Sequence, residues 1–227
     1  PVKPIHAMSI TTSLLYHRYK NGAFPVAIVS MDNCSHNGEK LQASVMTIAE
    51  EWIQHKKVDS EFLDYLKTKV SFPWSMIDKI TPRPSDKIKD KINTLGIEDM
   101  DPVITSKGTY IAPFVNAEVP EYLVVEDNFP NGRPPLEDAG VYMTTRDIVN
   151  KSETMKVTSC LNPLHTALAV YGCLLGYTKI CDEMKDADLV RLVKQIANEG
   201  MKVVINPEII DPQKFVNEVI NDRLPNP

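Results

Sequence analysis

Lys156, Asn33, Asn162 and His165 are the side chains of this sequence whose type and setting raise the question of chemistry. Lys156 lies in Glu153-Thr154-Met155-Lys156-Val157-Thr158. An i,i+3 ion pair with Glu153 on a helix surface would be worth only a few tenths of a kcal/mol. The alternative is a lysine partly desolvated against the apolar run that follows. Desolvation lowers a lysine pKa and makes the amine a usable proton carrier near neutral pH. His165 is a lone imidazole beside an apolar helix, where a core histidine satisfied by a neighbour is the competing reading. Asn162-Pro163 reads as a helix start, asparagine capping and proline in the first turn. Asp32-Asn33 and Asn37-Gly38 suit turns. Taken singly, each of these residues has a structural explanation.

The remaining reactive side chains exclude more than they propose. His6, His17 and His55 sit among polar or helix-surface residues, and His36 lies in a polar loop. No HxxxH, HxH or Cys-His cluster occurs, so no metal site is expected. The four cysteines, Cys34, Cys160, Cys173 and Cys181, form no CxxC pair. Reduced thiols and a cytoplasmic setting are the expectation.

Several elements must position these residues. Ala7 to Lys20 has a rough helical stripe closed by Asn21-Gly22. Phe24 to Met31 is a continuous apolar run, as in a buried parallel strand. The polar segment Asp32 to Gly38 would then be a loop at the carboxyl end of a strand, where open α/β sheets bind ligands. Helical spacing returns over Glu39 to Gln54 and Ser60 to Lys69. Thr81-Pro82-Arg83-Pro84 breaks regular structure. Glu121 to Asp127 is the only other good strand candidate, and Pro130 to Pro135 is a loop. Thr145 to Cys160, Pro163 to Tyr177, Lys179 to Gly200 and Pro212 to Asp222 read as four helices. The Leu164 to Tyr177 stretch is nearly all apolar and is expected to be central. Gly172 and Gly176 in it would allow close helix approach.

Composition bounds the function. The 227 residues carry a formal net charge of -5, with a pI near 5.6. No basic field is available for nucleic acid. No apolar run is long enough for a membrane span. None of the nine glycines forms GxG, so neither a dinucleotide fingerprint nor a phosphate loop is present in these residues.

Read together, the motifs are specific. Ser30-Met31-Asp32-Asn33 with Asn37-Gly38 resembles the S-x-D-N-x-x-x-N-G segment of the polyol-specific long-chain dehydrogenases, the mannitol dehydrogenase and fructuronate reductase family. Phe72-Pro73 through Met76-Ile77-Asp78-Lys79-Ile80-Thr81-Pro82 is similar to its F-P-x-x-M-v-D-R-I-T-P. Glu126-Asp127-Asn128-Phe129 with Gly132-Arg133-Pro134 resembles its E-D-x-F-x-x-G-R-P. Glu153-Thr154-Met155-Lys156 followed by Leu161-Asn162-Pro163-Leu164-His165 is similar to its E-x-x-K…L-N-x-x-H segment. The order is kept from about Pro4 to the last residue.

The resemblance implies a mainly α fold. A helical carboxyl-terminal domain of the mannitol dehydrogenase type (6-phosphogluconate dehydrogenase-like) would occupy 32–227. The last helix and strand of a Rossmann domain would occupy 1–31. It implies a piece of a longer enzyme, with the glycine fingerprint before Pro1 and a substrate-binding lysine after Pro227. NAD would be held mainly by the absent amino-terminal domain, and no metal is implied, since lysine takes the place of a Lewis acid. The activity implied is interconversion of a keto sugar acid and its hydroxy form, fructuronate and D-mannonate. Mannitol 2-dehydrogenase and tagaturonate reductase are the alternatives within the class. A non-catalytic helical interaction or dimerisation domain is the alternative outside it. Partners are a small sugar acid or polyol, not nucleic acid or membrane. By resemblance Lys156 is the general acid/base, and Asn33 and Asn162 hydrogen-bond the reacting oxygen. His165 orients substrate, and Glu153 relays protons to solvent. Asp78, Asn37, Arg83 and Arg133 are the substrate-pocket candidates, the arginines because a sugar acid presents a carboxylate.

One spacing departs from the family. Lysine and asparagine are six apart here instead of five, and Lys156 to His165 is nine. At roughly 100° per residue, an unbroken α-helix would send Lys156 and His165 to opposite faces. An i→i+5 bulge or a sharp break between Val157 and Pro163 is therefore expected.

Overall fold

A computed structural model describes residues 3–81, 83–119 and 121–226. The expected ends at Pro1 and Pro227, and Pro82 in the proline-bounded break, lie outside the described residues. The chain divides into one unit formed by 1–77 and 123–227 and a second formed by 78–122.

The first unit begins with α1 (Ala7–Lys20), β1 (Val26–Ala27), α2 (Asn37–Gln54), α3 (Glu61–Thr68) and β2 (Val70–Ser71). Leu41, Val45 and Ala49 recur at i, i+4 and i+8, and all three are buried. That stripe dictates which side of α2 turns inward. It packs with Leu15 of α1, with Phe62, Tyr65 and Leu66 of α3, and with Val70 and Phe72. Tyr16 meets Phe62 edge-on at 5.2 Å between ring centres. Each such side chain contributes roughly 1.5–3 kcal/mol by leaving water. This core holds β1 and β2 parallel, Val26 opposite Val70 and Ala27 opposite Ser71.

The strand expected over Phe24 to Met31 shrinks to two residues. Ile28 N–H still donates to the Ser71 carbonyl at 2.9 Å. Phe24 and Met31 are 61% and 55% exposed. β1 has a single neighbour among the described residues, so nothing covers the outer half of the run.

Three further strands, β3 (Ser75–Asp78), β6 (Tyr122–Glu126) and β7 (Tyr142–Thr144), form a sheet in the order β3-β6-β7. β6 and β7 run parallel, with Val124 opposite Tyr142. The second unit contains α4 (Asp86–Thr94) and the antiparallel pair β4 (Val103–Ile104) and β5 (Tyr110–Ile111). Among the described residues seven strands form three sheets, more than the mainly α fold and two strand candidates expected, although the candidate Glu121 to Asp127 is present as β6. Most of these strands are two to four residues long, too short to write a period of two into the sequence.

The last third is helical as expected, with different breaks. α5 (Arg146–Met155) runs into a π-helical turn (Lys156–Cys160), and α6 (Asn162–Leu174) follows. The expected helix Lys179 to Gly200 divides into α7 (Ile180–Glu183) and α8 (Ala187–Gly200). The Asp186 carboxylate causes the division, accepting from Asp188 N at 2.8 Å and Leu189 N at 3.2 Å as the cap of α8. Asp211 caps α9 (Pro212–Glu218) in the same way.

The expectation that α6 is central is not met. It buries only Leu164, Leu168 and Gly172, while Val170, Leu174 and Leu175 are 51%, 76% and 61% exposed. Apolar content alone does not give depth; the stripe at i, i+4, i+8 does. Gly172 does permit a close approach, because a Cβ there would overlap the Glu183 carboxyl group. Gly176 has nothing within 4 Å and serves a left-handed turn at φ +87°.

Candidate active site

The site starts at the carboxyl end of β1. Asn37, the first residue of α2, is 2% exposed. Its amide nitrogen donates to Ser30 O, Asp32 O and Ser75 Oγ at 3.2, 2.9 and 2.8 Å. Its Oδ1 accepts from Gly38 N at 2.7 Å and Ser75 N at 3.0 Å. Both polar atoms of the Asn37 side chain are thus used within the protein. Expected from the resemblance to touch substrate, Asn37 instead ties the loop Asp32–His36 to β3.

Gly38 completes that tie. A Cβ at this position would lie 2.6 Å from Phe72 O and 2.7 Å from Pro73 O. Both are backbone atoms and cannot swing aside. Gly38→Ala should therefore lower stability by roughly 1–3 kcal/mol, as overpacking does. Denaturant unfolding of the two proteins measures it, and an unchanged midpoint would contradict the packing described.

Lys156 closes the site from the other side. It is 4% exposed, which removes the surface ion pair as its explanation. Its ammonium donates to the Ile77 carbonyl at 2.8 Å and approaches Asn33 Oδ1 at 3.4 Å. Asn33 is exposed, so with its oxygen turned toward the lysine its amide N–H groups remain available to a ligand. Lys156 also begins the π-helical turn, in which Leu161 N–H donates to the Lys156 carbonyl at 3.0 Å, an i→i+5 bond. Leu161 then breaks the path at φ −126°, ψ −62°, and α6 starts anew at Asn162. The bulge expected from the spacing is present, and so is the break. Pro163 supplies the reason, since its missing N–H and its ring prevent a continuous α-helix.

Asn162 and His165 lie exposed on the first turn of α6. Asn162 is not the side-chain cap that its sequence suggests; no cap bond forms at this helix start. Among the described residues no side-chain hydrogen bond holds either Asn162 or His165. Of Asn33, Asn162 and His165, Asn33 is the one that a described hydrogen bond brings to Lys156. Glu153, one turn before Lys156, is buried. Burial, and then the Asp32 and Glu153 carboxylates, push the Cys34 thiol above its ordinary value despite the opposing charge of Lys40.

The arginine candidates fare differently. Arg133 bonds Asp127 through Nε and Nη2 at 2.7 and 2.8 Å, and Glu137 through Nη1 at 2.6 Å. Two carboxylates already occupy its fork, so it braces its own loop and is withdrawn as a receptor for a substrate carboxylate. Arg83 is exposed in the second unit, its guanidinium 5.2 Å from the centre of the Tyr110 ring. Asp78 is buried at the end of β3 and belongs to that second unit. No group of three or more potential metal-ligating side chains occurs among the described residues. No helix among them is long and apolar enough to cross a membrane.

Sequence reasoning passed over a polar strip beside the site. His36, at φ +55°, stacks on Trp74 with ring centres 4.3 Å apart, and its Nε2 lies 2.9 Å from Asn150 Oδ1. The Arg146 guanidinium lies 5.1 Å from the centre of the Trp74 ring, and its Nε donates to Glu126 at 3.0 Å. Arg146, Asn150 and Glu153 recur at i, i+4 and i+7 along α5. That period is the signal in the sequence that would have found the strip.

The model of the mannitol dehydrogenase Rossmann domain matches residues 1–138. The D-mannonate oxidoreductase of Thermotoga maritima is 58% identical over the whole of this chain, which covers 42% of that protein. The Pseudomonas fluorescens mannitol 2-dehydrogenase, solved as a ternary complex with NAD and D-mannitol, is 27% identical with a TM-score of 0.73; the alignment covers 98% of this chain and 41% of that one. A D-sorbitol dehydrogenase solved in substrate-free form is 28% identical with a TM-score of 0.78, over 96% of this chain and 41% of its own. The chain therefore spans about 42% of the length of the D-mannonate oxidoreductase it matches. The family match also overturns the expected fold class. The Rossmann assignment does not stop at Met31 but runs through Asp138, so the chain carries NAD-binding-domain sequence where a helical carboxyl-terminal domain was expected. The placement of NAD on an absent domain falls with it. A Rossmann-domain match over residues 1–138, more than half of the chain, leaves one conclusion: this chain belongs to the mannitol dehydrogenase family.

Proposed function

We propose that the protein carrying this chain is an NAD-dependent dehydrogenase interconverting a keto sugar acid and its hydroxy form, with fructuronate and D-mannonate as the pair. The observation that carries the reaction type is the buried ammonium of Lys156, held by Ile77 O and set against Asn33 beside an open loop. The 58% identity to a D-mannonate oxidoreductase supports the substrate class.

The described residues fit the reacting end of a nicotinamide cofactor. The loop Asp32–His36 stands at the carboxyl end of parallel β1, where α/β sheets receive such ligands. NAD, when bound, supplies the hydride acceptor, and the protein supplies placement and charge. Lys156 passes a proton to the carbonyl oxygen during reduction and takes it back during oxidation. The Asn33 amide N–H groups bond the same oxygen as it gains negative charge, with Asn162 as the second donor. Preorganisation follows from the packing, because Ile77 O and Asn33 Oδ1 already fix the amine before substrate arrives. Glu153, three residues before Lys156 and buried, links the amine to solvent. His165 orients the substrate from the first turn of α6.

Substrate class is decided by assaying the full-length gene product with fructuronate, tagaturonate and fructose, and with NADH and NADPH. The expected outcome is a higher kcat/KM for fructuronate with NADH. Fructose reduced as efficiently as fructuronate would move the assignment to a mannitol 2-dehydrogenase.

A further inference from the structure

We propose that His36 is a positioning residue that clamps the loop Asp32–Asn37 to α5, and that this clamp holds Asn33 at the Lys156 amine. The inference deepens the reading above and rests on it for its kinetic arm. The loop and Lys156 come from distant parts of the chain, 123 residues apart at Asn33 and Lys156. Two different attachments hold the loop. Asn37 ties it to β1 and β3 through Ser30, Asp32 and Ser75, and none of those bonds reaches α5. The connection to α5 runs through His36, whose Nε2 donates to Asn150 Oδ1 at 2.9 Å. Asn150 lies six residues before Lys156 on the same run of helix.

The backbone shows that this attachment is specified. His36 takes φ +55°, ψ +42°, a left-handed conformation that side-chain-bearing residues rarely adopt. That turn is what carries the imidazole from the loop to α5. The ring is then held on its face by Trp74 at 4.3 Å and an interplanar angle of 26°. Its second nitrogen, Nδ1, faces the Glu39 carboxylate at 3.4 Å. Trp74 is anchored in turn through its backbone N–H, which donates to Glu126 Oε2 at 3.0 Å, the oxygen that also accepts from Arg146 Nε. Arg146 and Asn150 are both on α5. The imidazole is thus fixed by one hydrogen bond and one stacked ring, and both lead to the helix that carries Lys156. Loss of the bond frees the loop on the α5 side only, so Asn33 drifts from the lysine while the β1–β3 attachment survives.

Displacements of about an ångström at a reacting centre cost on the order of a hundredfold in rate. His36→Ala in the full-length gene product should lower kcat by roughly tenfold to a hundredfold, with KM changed much less. Asn150→Ala should give the same loss. The double variant should be no worse than either single one, because both remove one bond. His36→Gln places an amide nitrogen near the position of Nε2 and should recover most of kcat. A merely structural role would not be rescued in this way. Amide hydrogen exchange reads the clamp without activity: His36→Ala should deprotect residues 33–37 and leave α2, α3 and α8 unchanged. Full kcat in His36→Ala, additive losses in the double variant, or His36→Gln as slow as His36→Ala would overturn the clamp. A wild-type protein that reduces no keto sugar would instead overturn the functional reading. Unchanged exchange at 33–37 in His36→Ala overturns the clamp whatever the kinetics show.

Discussion

Lys156→Ala in the full-length protein is expected to reduce kcat by about 10²–10⁴-fold, the usual contribution of a positioned proton donor. The amine is buried and approaches Asn33 in the loop that closes β1. Removing it leaves the Ile77 carbonyl and Asn33 Oδ1 short of a donor, which costs on the order of 1–3 kcal/mol of stability. The fold should survive that loss, so circular dichroism and thermal unfolding must accompany the kinetics. Lys156→Arg separates charge from chemistry. A guanidinium keeps the positive charge but does not give up a proton near neutral pH, so it should not restore turnover. A Lys156→Ala enzyme retaining more than a tenth of its kcat, or full recovery with arginine, would remove Lys156 from the reaction.

Replacement of Asn33 should have the next largest effect. In the structure its oxygen is turned to the lysine, and in the proposed mechanism its N–H groups bond the reacting oxygen. Deletion of one such donor typically costs about 10²–10³-fold in kcat, or about 2.7–4 kcal/mol. Asn33→Ala should fall in that range. Asn33→Asp is the sharper test. It keeps the size and keeps an acceptor for Lys156, but it sets a negative charge where an alkoxide forms. It should be at least as slow as Asn33→Ala in ketone reduction. If Asn33→Asp outperformed Asn33→Ala, the residue would be acting by holding the lysine and not by bonding the oxygen.

The one-residue excess between Lys156 and Asn162 shows how far local reasoning reaches. A helix has a fixed pitch and proline lacks an N–H, so the sequence alone requires a bulge or a break there. The structure has both, a π turn from Lys156 and a new helix from Asn162. The same local logic found the stripe of α2 and the loop after β1, because 3.6-residue periodicity and turn chemistry are properties of neighbours in the chain.

What local pattern could not decide was partnership. From pattern alone Lys156 reads more readily as a surface ion pair, and packing against Ile77 and Asn33 overturned that reading. Asn37 and Asn33 have the same side chain four residues apart. One became a saturated internal tie and the other an open donor, because β3 comes up against Asn37 alone. Arg133 carries the charge a sugar acid needs, yet Asp127 and Glu137 claim its fork before any ligand can. Strand content was largely illegible for a related reason: strands of two to four residues are too short to write a period into the sequence, and β1 and β2 are held by a segment more than forty positions away. The chain's own chemistry fixed which residue types were available and most places where helices start and bend, although the break at Asp186 was missed. Which of those residues are spent on one another and which stay open to a ligand was settled by packing, through partners that range from 4 residues away at Arg133 to 123 at Lys156.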